Sequence, residues 1–150
     1  MKIHVIVDDS LEETEVFIKT PKLDQEILAI ERELRRSQRT LPLYKDNTEY
    51  FLQVHEILFF ETDAREVIAH TKDDMYYTDL RLYELEERLP SSFLRISKSA
   101  IVNVKKIFAL TRSVSSCLVQ FQDTYKHVYA SRSYYKTLKA RMDEEKGDLE

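Results

Sequence analysis

FLRISKSAIVN, residues Phe93 to Asn103, sets cations, serine hydroxyls and an amide among apolar side chains, and it opens the only strongly basic part of an acidic chain. Residues 93–142 carry a net charge of +9, against −9 for residues 1–92 and −4 for residues 143–150. A cationic block of this kind repels itself unless something anionic meets it. Nucleic acid is the leading candidate, because phosphate contacts supply most sequence-independent affinity. The stretch itself and the hairpin ends that follow it are therefore the expected contact surface.

Length and composition bound the alternatives. The 150 residues are 43% hydrophobic and 33% charged, which suits one folded domain with an appended element. No apolar run approaches a membrane span, the N-terminus MKIHVIVDDS lacks the features of a secretory signal, and a cytoplasmic location is expected. Cys117 is the only cysteine, so neither a disulfide framework nor a thiolate metal cluster is expected. With a single glycine, Gly147, the chain cannot build a P-loop or a dinucleotide-binding loop. His4, His55, His70 and His127 lack metal-ligand spacing, no serine sits in a nucleophile elbow, and Glu86-Glu87 point to different helix faces. No enzyme and no cofactor is expected.

Read in order, Lys2–Val7 and Val16–Thr20 are β-branched and predict two strands. Thr20-Pro21 predicts a helix start, with Leu23, Ile27, Ile30 and Leu34 on one narrow stripe and Arg32, Arg35, Arg36 and Arg39 near the C-terminal end. VIVDDS looks like the opening of a receiver domain, but a different pattern takes over by about residue 43, too early for one. Short strands are then expected at Leu41–Tyr44, Glu49–Gln53, Ile57–Thr62, Val67–Thr71 and Met75–Thr78, separated by Asp46-Asn47, Asp63-Ala64 and Asp73-Asp74. A helix over Leu80–Leu89 stops at Pro90. Phe93–Ile96 is strand-like, and Ser97–Val102 could form one or two turns of helix. Strands at Ile107–Arg112, Leu118–Gln122 and Lys126–Ala130 precede a last helix or turn, Ser131–Met142. The whole predicts a mainly β body, residues 43–142, after a strand-strand-helix element, residues 1–42, and before an acidic tail, residues 143–150.

Within that body the DNA-facing candidates are Arg95, Ser97, Lys98, Ser99, Lys105, Arg132, Ser133 and Tyr134. Arginine can read guanine bidentately, while Lys, Ser and Tyr suit phosphates or base edges. If Ser97 caps a short helix, Lys98 and Ser99 lie at a phosphate-binding N-terminus. An ordinary solvated basic face is the competing interpretation. Cys117, in the apolar run CLVQF, is expected in the core. The Leu23–Ile27–Ile30–Leu34 stripe either packs on the same chain or pairs with a second copy.

FLRISKSAIVNVKKI, followed by YASRSYYKTLK, resembles the signature of LytTR-type DNA-binding domains. LPLYKDNTEYFLQVHEILFFET and MYYTDLRLYELEERLP are similar to that family's opening hairpin, FFE strand and short leucine helix. The resemblance runs from about Leu43 to Met142. It implies a stack of small antiparallel sheets with short helices, and a bacterial regulator whose loops enter successive major grooves, usually on direct repeats. It adds Asp63–Glu66 to the candidate loops, with Arg65 as reader, beside Arg95–Ser99 and Arg132-Ser133. At Ser97 the family often has His; serine is shorter and uncharged, which makes Lys98 the alternative contact. The short N-terminal part resembles the stand-alone subclass, often restrained by a membrane protein partner, so residues 1–42 are expected to dimerise or to dock that partner.

The expected function is a transcription regulator that binds double-stranded DNA, as a homodimer and without catalysis. The second class is an interaction module whose basic face meets an acidic protein or an anionic membrane. A helix-turn-helix made of Leu80–Leu89 and Ser97–Val104 is the structural alternative for the DNA reading.

Overall fold

The computed structural model describes residues 1–37 and 39–146. Helix α1 spans Gln25–Ser37, and ten strands follow: β1 Thr40–Lys45, β2 Thr48–Gln53, β3 Phe59–Asp63, β4 Glu66–His70, β5 Met75–Thr78, β6 Phe93–Ser97, β7 Ala100–Asn103, β8 Ile107–Arg112, β9 Ser116–Phe121 and β10 His127–Ser131. Helix α2, Leu82–Arg88, precedes β6, and helix α3, Tyr135–Lys146, ends the described chain. The strands form a seven-stranded sheet of order β2-β1-β5-β4-β3-β7-β6 and a three-stranded sheet of order β10-β9-β8, with every pairing antiparallel.

The middle of the large sheet is buried on both faces, which is why its strands read as unbroken apolar runs. Successive residues of a strand point to opposite faces, so Phe59 and Phe60 join different cores. Phe59, Ala100 and Val102 face the small sheet, meeting Cys117, Val119, Phe121, Val128 and Ala130, with Leu138 of α3 closing the layer. Phe60 and Ile101 face α2, meeting Leu82, Leu85 and Leu89 together with Leu41 and Leu43. Phe59 stacks on Phe121, with ring centroids 5.1 Å apart. Asn103, 2% exposed, donates to the Ile57 carbonyl (3.1 Å) and accepts from the Lys105 amide (3.2 Å). Cys117 is fully buried, and that burial pushes its thiol pKa up.

Turn chemistry compensates for the missing glycines. Asp46 and Asn47 both have positive φ (50° and 65°) between the paired residues Lys45 and Thr48. Asx residues tolerate that region, and two such positions make the tight hairpin turn that matches strand twist. Asp123 (φ 58°) does the same after β9, whereas Ala64 (φ 56°), in the β3–β4 turn, is a non-Asx residue held there.

Several expectations are corrected. Lys2–Val7 and Val16–Thr20 form no strand; residues 1–23 are all exposed. β propensity measures fit to a half-buried surface, and a lone two-stranded ribbon has none to offer. The helix starts four residues after Pro21, capped by Asp24, whose carboxylate accepts from the Ile27 amide (3.0 Å). The sheet takes up the chain at Thr40, with Leu41 already in the core, so a boundary after residue 42 cuts through β1. Ser97–Val102 is a hairpin, not a helix, because Ala100–Asn103 is needed as a buried strand beside β3. That also removes the helix N-terminus imagined at Lys98 and the helix-turn-helix alternative. Of the acidic tail, residues 143–146 continue α3, and residues 147–150 lie outside the described residues.

Candidate nucleic-acid interface

Strand register decides which candidate side chains meet. Phe59 pairs with both His70 and Val102, and Glu61 with both Ile68 and Ala100. The β3–β4 turn, Ala64-Arg65, and the β6–β7 turn, Lys98-Ser99, therefore lie at the same end of the large sheet. A hydrogen bond joins them: the Thr62 amide donates to the Ser99 carbonyl at 2.8 Å.

The small sheet is fixed at the opposite end. There the Thr124 hydroxyl donates to the Lys72 carbonyl (3.0 Å) and the Lys126 ammonium donates to the Asp74 carbonyl. β10 runs away from this contact, with Ser131 opposite Ser116. It delivers Arg132, Ser133 and the β8–β9 turn to its far end. β6 packs against β10, the 3-10 turn Arg132–Tyr134, and α3. Arg141 of α3 holds the Ser91 carbonyl, just before β6. With Arg141 there, the start of α3 and the 3-10 turn lie toward the Ser97 end of β6. Arg65, Lys98 and Arg132 are thus gathered on adjacent turns. All are exposed, and none takes part in the ion pairs among the described residues.

Other candidates fall elsewhere. Lys105 is exposed on the 3-10 turn after β7, at the end of that strand remote from Ser99, while its neighbour Lys106 shares a recess with Lys72, Asp73 and Asp74. The cationic block is thus divided between two ends of the molecule. Arg95 is half-buried, and each nitrogen of its guanidinium has a protein partner: the Ser97 carbonyl (2.7 Å), the Lys98 carbonyl (2.6 Å) and the Glu86 carboxylate. Ser97 turns inward on its own loop, its hydroxyl accepting from the Ser99 amide at 3.1 Å. Ser133 is exposed, with its hydroxyl 3.2 Å from that of Ser131, and Tyr134 is half-buried.

The sequence reading missed Arg112 and Lys136. With Ser113, Val114, Ser116, Arg132, Ser133 and Tyr135 they line one open groove, and the Arg112 guanidinium lies over the Tyr135 ring at 4.7 Å. The run RSVSS carried a signal of this, hydroxyls beside a cation at a strand end, but only the β8–β9–β10 pairing shows that it borders Arg132.

A family model described as the LytTr DNA-binding domain matches residues 47–143, well over half of the chain. The chain belongs to the LytTr DNA-binding domain family. An uncharacterized HTH-type transcriptional regulator of Staphylococcus aureus (strain NCTC 8325 / PS 47) is 32% identical over 145 residues, covering 95% of this chain and 98% of the relative. A second, from a bovine strain of the same species, is 31% identical with the same coverage. The LytTr DNA-binding domain of a Bacillus cereus protein superposes with a TM-score of 0.63 at 22% identity, over 68% of this chain and 94% of that one, and so shares the LytTr fold. The similarity to the staphylococcal relatives extends well beyond the LytTr match, into the segment that carries α1. Their names carry the helix-turn-helix label; in the present structure α2 is followed by the β6–β7 hairpin instead. No described helix is long and apolar enough to cross a membrane.

Proposed function

We propose that this LytTr protein is a transcriptional regulator that reads double-stranded DNA through the turns gathered around Lys98. The observation that supports this best is the convergence of Arg65, Lys98 and Arg132, exposed and outside the described ion pairs, on neighbouring turns of a rigid β body. Cations on loops held by sheets can be set against a duplex without an ordering cost at binding. Ser133, Arg112 and Lys136 extend the surface along the groove beside Arg132. Arg65 lies between Asp63 and Glu66, so its turn is of mixed charge and suits contact with a base edge more than with a phosphate.

The test is a mobility shift on duplexes selected from genomic fragments. Lys98→Ala and Arg132→Ala should each weaken binding by about 1–3 kcal/mol if they read bases. A lost phosphate contact would instead flatten the salt dependence by about 0.9 per contact. Binding that ignores both substitutions, or that favours anionic vesicles over any duplex, would refute the proposal.

The same regulator is proposed to act as a homodimer on direct repeats. α1 supports this. On the helix Ile27 and Ile30 are half-buried, and Leu23, two residues before it, is 67% exposed. The helix is tied to the body by Glu33, which accepts from the Ser91 amide (2.6 Å) and hydroxyl (2.8 Å). The helix is thereby held to the body, while the apolar Leu23 just before it stays exposed. Light scattering of the full chain should give a dimer that Leu23→Glu weakens. A monomer in both would refute the dimer and leave the stripe for a regulatory membrane protein partner.

A further inference from the structure

We infer that Arg95 is a positioning residue, tied by Glu86, that shapes the Ser97–Ser99 turn and is not itself a contact to DNA. The inference deepens the proposed DNA reading of that turn and rests on it for its functional half.

β6 is an edge strand of the large sheet, so carbonyls at its end lack a partner strand on one side. The β6–β7 register shifts between Arg95, opposite Ile101, and Ser97, opposite Ala100, which leaves Ile96 as an extra residue. Such a bulge bends the strand and re-aims its side chains. Ile96 is fully buried, and Arg95 reaches forward over the turn that follows. Its Nε donates to the Ser97 carbonyl at 2.7 Å and one Nη to the Lys98 carbonyl at 2.6 Å. The other Nη meets Glu86 of α2. An exposed ion pair alone would add little. Here the carboxylate fixes a planar fork whose remaining arms satisfy two consecutive backbone carbonyls, which a lysine ammonium cannot reproduce.

The restraint passes onward. The Ser99 carbonyl accepts from the Thr62 amide, two residues before the β3–β4 turn, Ala64-Arg65. Fixing the Lys98 turn therefore also fixes its register with the Arg65 turn. Arg95 is 22% exposed in its side chain, and its occupied nitrogens leave the exposed Lys98 as the cation at the tip. The basic motif R-I-S-K thus divides its labour: the arginine builds the turn and the lysine projects from it.

Two measurements on the full chain test this. Without DNA, amide hydrogen exchange at Thr62 and Ser99 should speed up about tenfold or more in Arg95→Ala and also in Arg95→Lys, and by less in Glu86→Gln, while β9 amides stay protected and report an intact fold. Unchanged exchange at Thr62 and Ser99 in all three variants would overturn the inference. With a duplex selected by the wild-type chain, Arg95→Ala and Arg95→Lys should both weaken binding about tenfold or more with the slope of log K against log salt preserved. A slope reduced by about 0.9 in Arg95→Ala and restored in Arg95→Lys would make Arg95 a phosphate contact and overturn it equally. If the wild-type chain prefers no duplex, the DNA reading fails while the exchange measurement still decides what Arg95 does.

Discussion

Phe59→Ala should loosen the joint between the two sheets. The ring is 2% exposed and lies against Phe121 on one neighbour (5.1 Å between centroids) and His70 on another (4.4 Å). Truncating a buried Phe costs about 3–5 kcal/mol in transfer and cavity terms. Two stacked partners place this site in the upper part of that range, since ring pairs add about 0.5–1.5 kcal/mol beyond their area. A loss of about 4–5 kcal/mol is a large share of the roughly 5–15 kcal/mol that holds a domain together, and corresponds to a fall in Tm of about 15 °C. Phe59→Leu keeps most of the bulk and loses the rings, so about 1–1.5 kcal/mol is expected. Urea unfolding followed by both tyrosine fluorescence and circular dichroism would measure these values. The wild type should unfold in one step, because Phe59 belongs to the large sheet and packs in the core of the small one. Two separated wild-type transitions, or a Phe59→Ala loss under about 2 kcal/mol, would refute the claim that this seam couples the sheets.

Removing the Asn103 amide with Asn103→Ala should cost about 2–3 kcal/mol in the same assay, because it strands the buried Ile57 carbonyl and the Lys105 amide. Burial pushes the His70 pKa below its ordinary value despite the opposing Glu61 contact. The folded state therefore binds fewer protons than the unfolded one near that pKa, and the stability present above about pH 6.5 drains away as pH falls; melts of His70→Gln should lose this part of the acid sensitivity, and equal slopes for both proteins would count against it. Ala64→Gly relieves a left-handed alanine and should raise stability by about 1 kcal/mol; an unchanged or lowered midpoint would show that the turn is not strained. Arg112→Ala and Lys136→Ala should each reduce the salt slope of duplex binding by about 0.9 if the groove beside Arg132 follows a phosphate backbone.

Nine of the ten strands, all but β7, were legible from apolar periodicity and the turn residues between them, and the resemblance carried by FLRISKSAIVN identified the family. The errors share one cause. MKIHVIV and VFIKT have strand composition but no sheet to join, and SKSAIV has helix-compatible residues but a place reserved beside β3. Local pattern cannot report whether a partner surface exists. The site was legible as a set of basic residues but not as a division of roles. Arg95 and Lys98 differ little as neighbours in a sequence, yet one is held by Glu86 and two carbonyls and the other is exposed. Arg112 went unnoticed because nothing local links it to Arg132.

From the sequence alone came the mainly β class, the absence of glycine-dependent phosphate loops, and the sign of the charge that residues 93–142 would present. Those are properties of composition and short-range order, which the chain carries whether folded or not. Only the tertiary structure separated Lys105 from Lys98 and brought Arg65, Lys98 and Arg132 onto adjacent turns. Residues that distant in sequence are made neighbours by strand register and by the Phe59–Phe121 seam, and no window along the chain contains either.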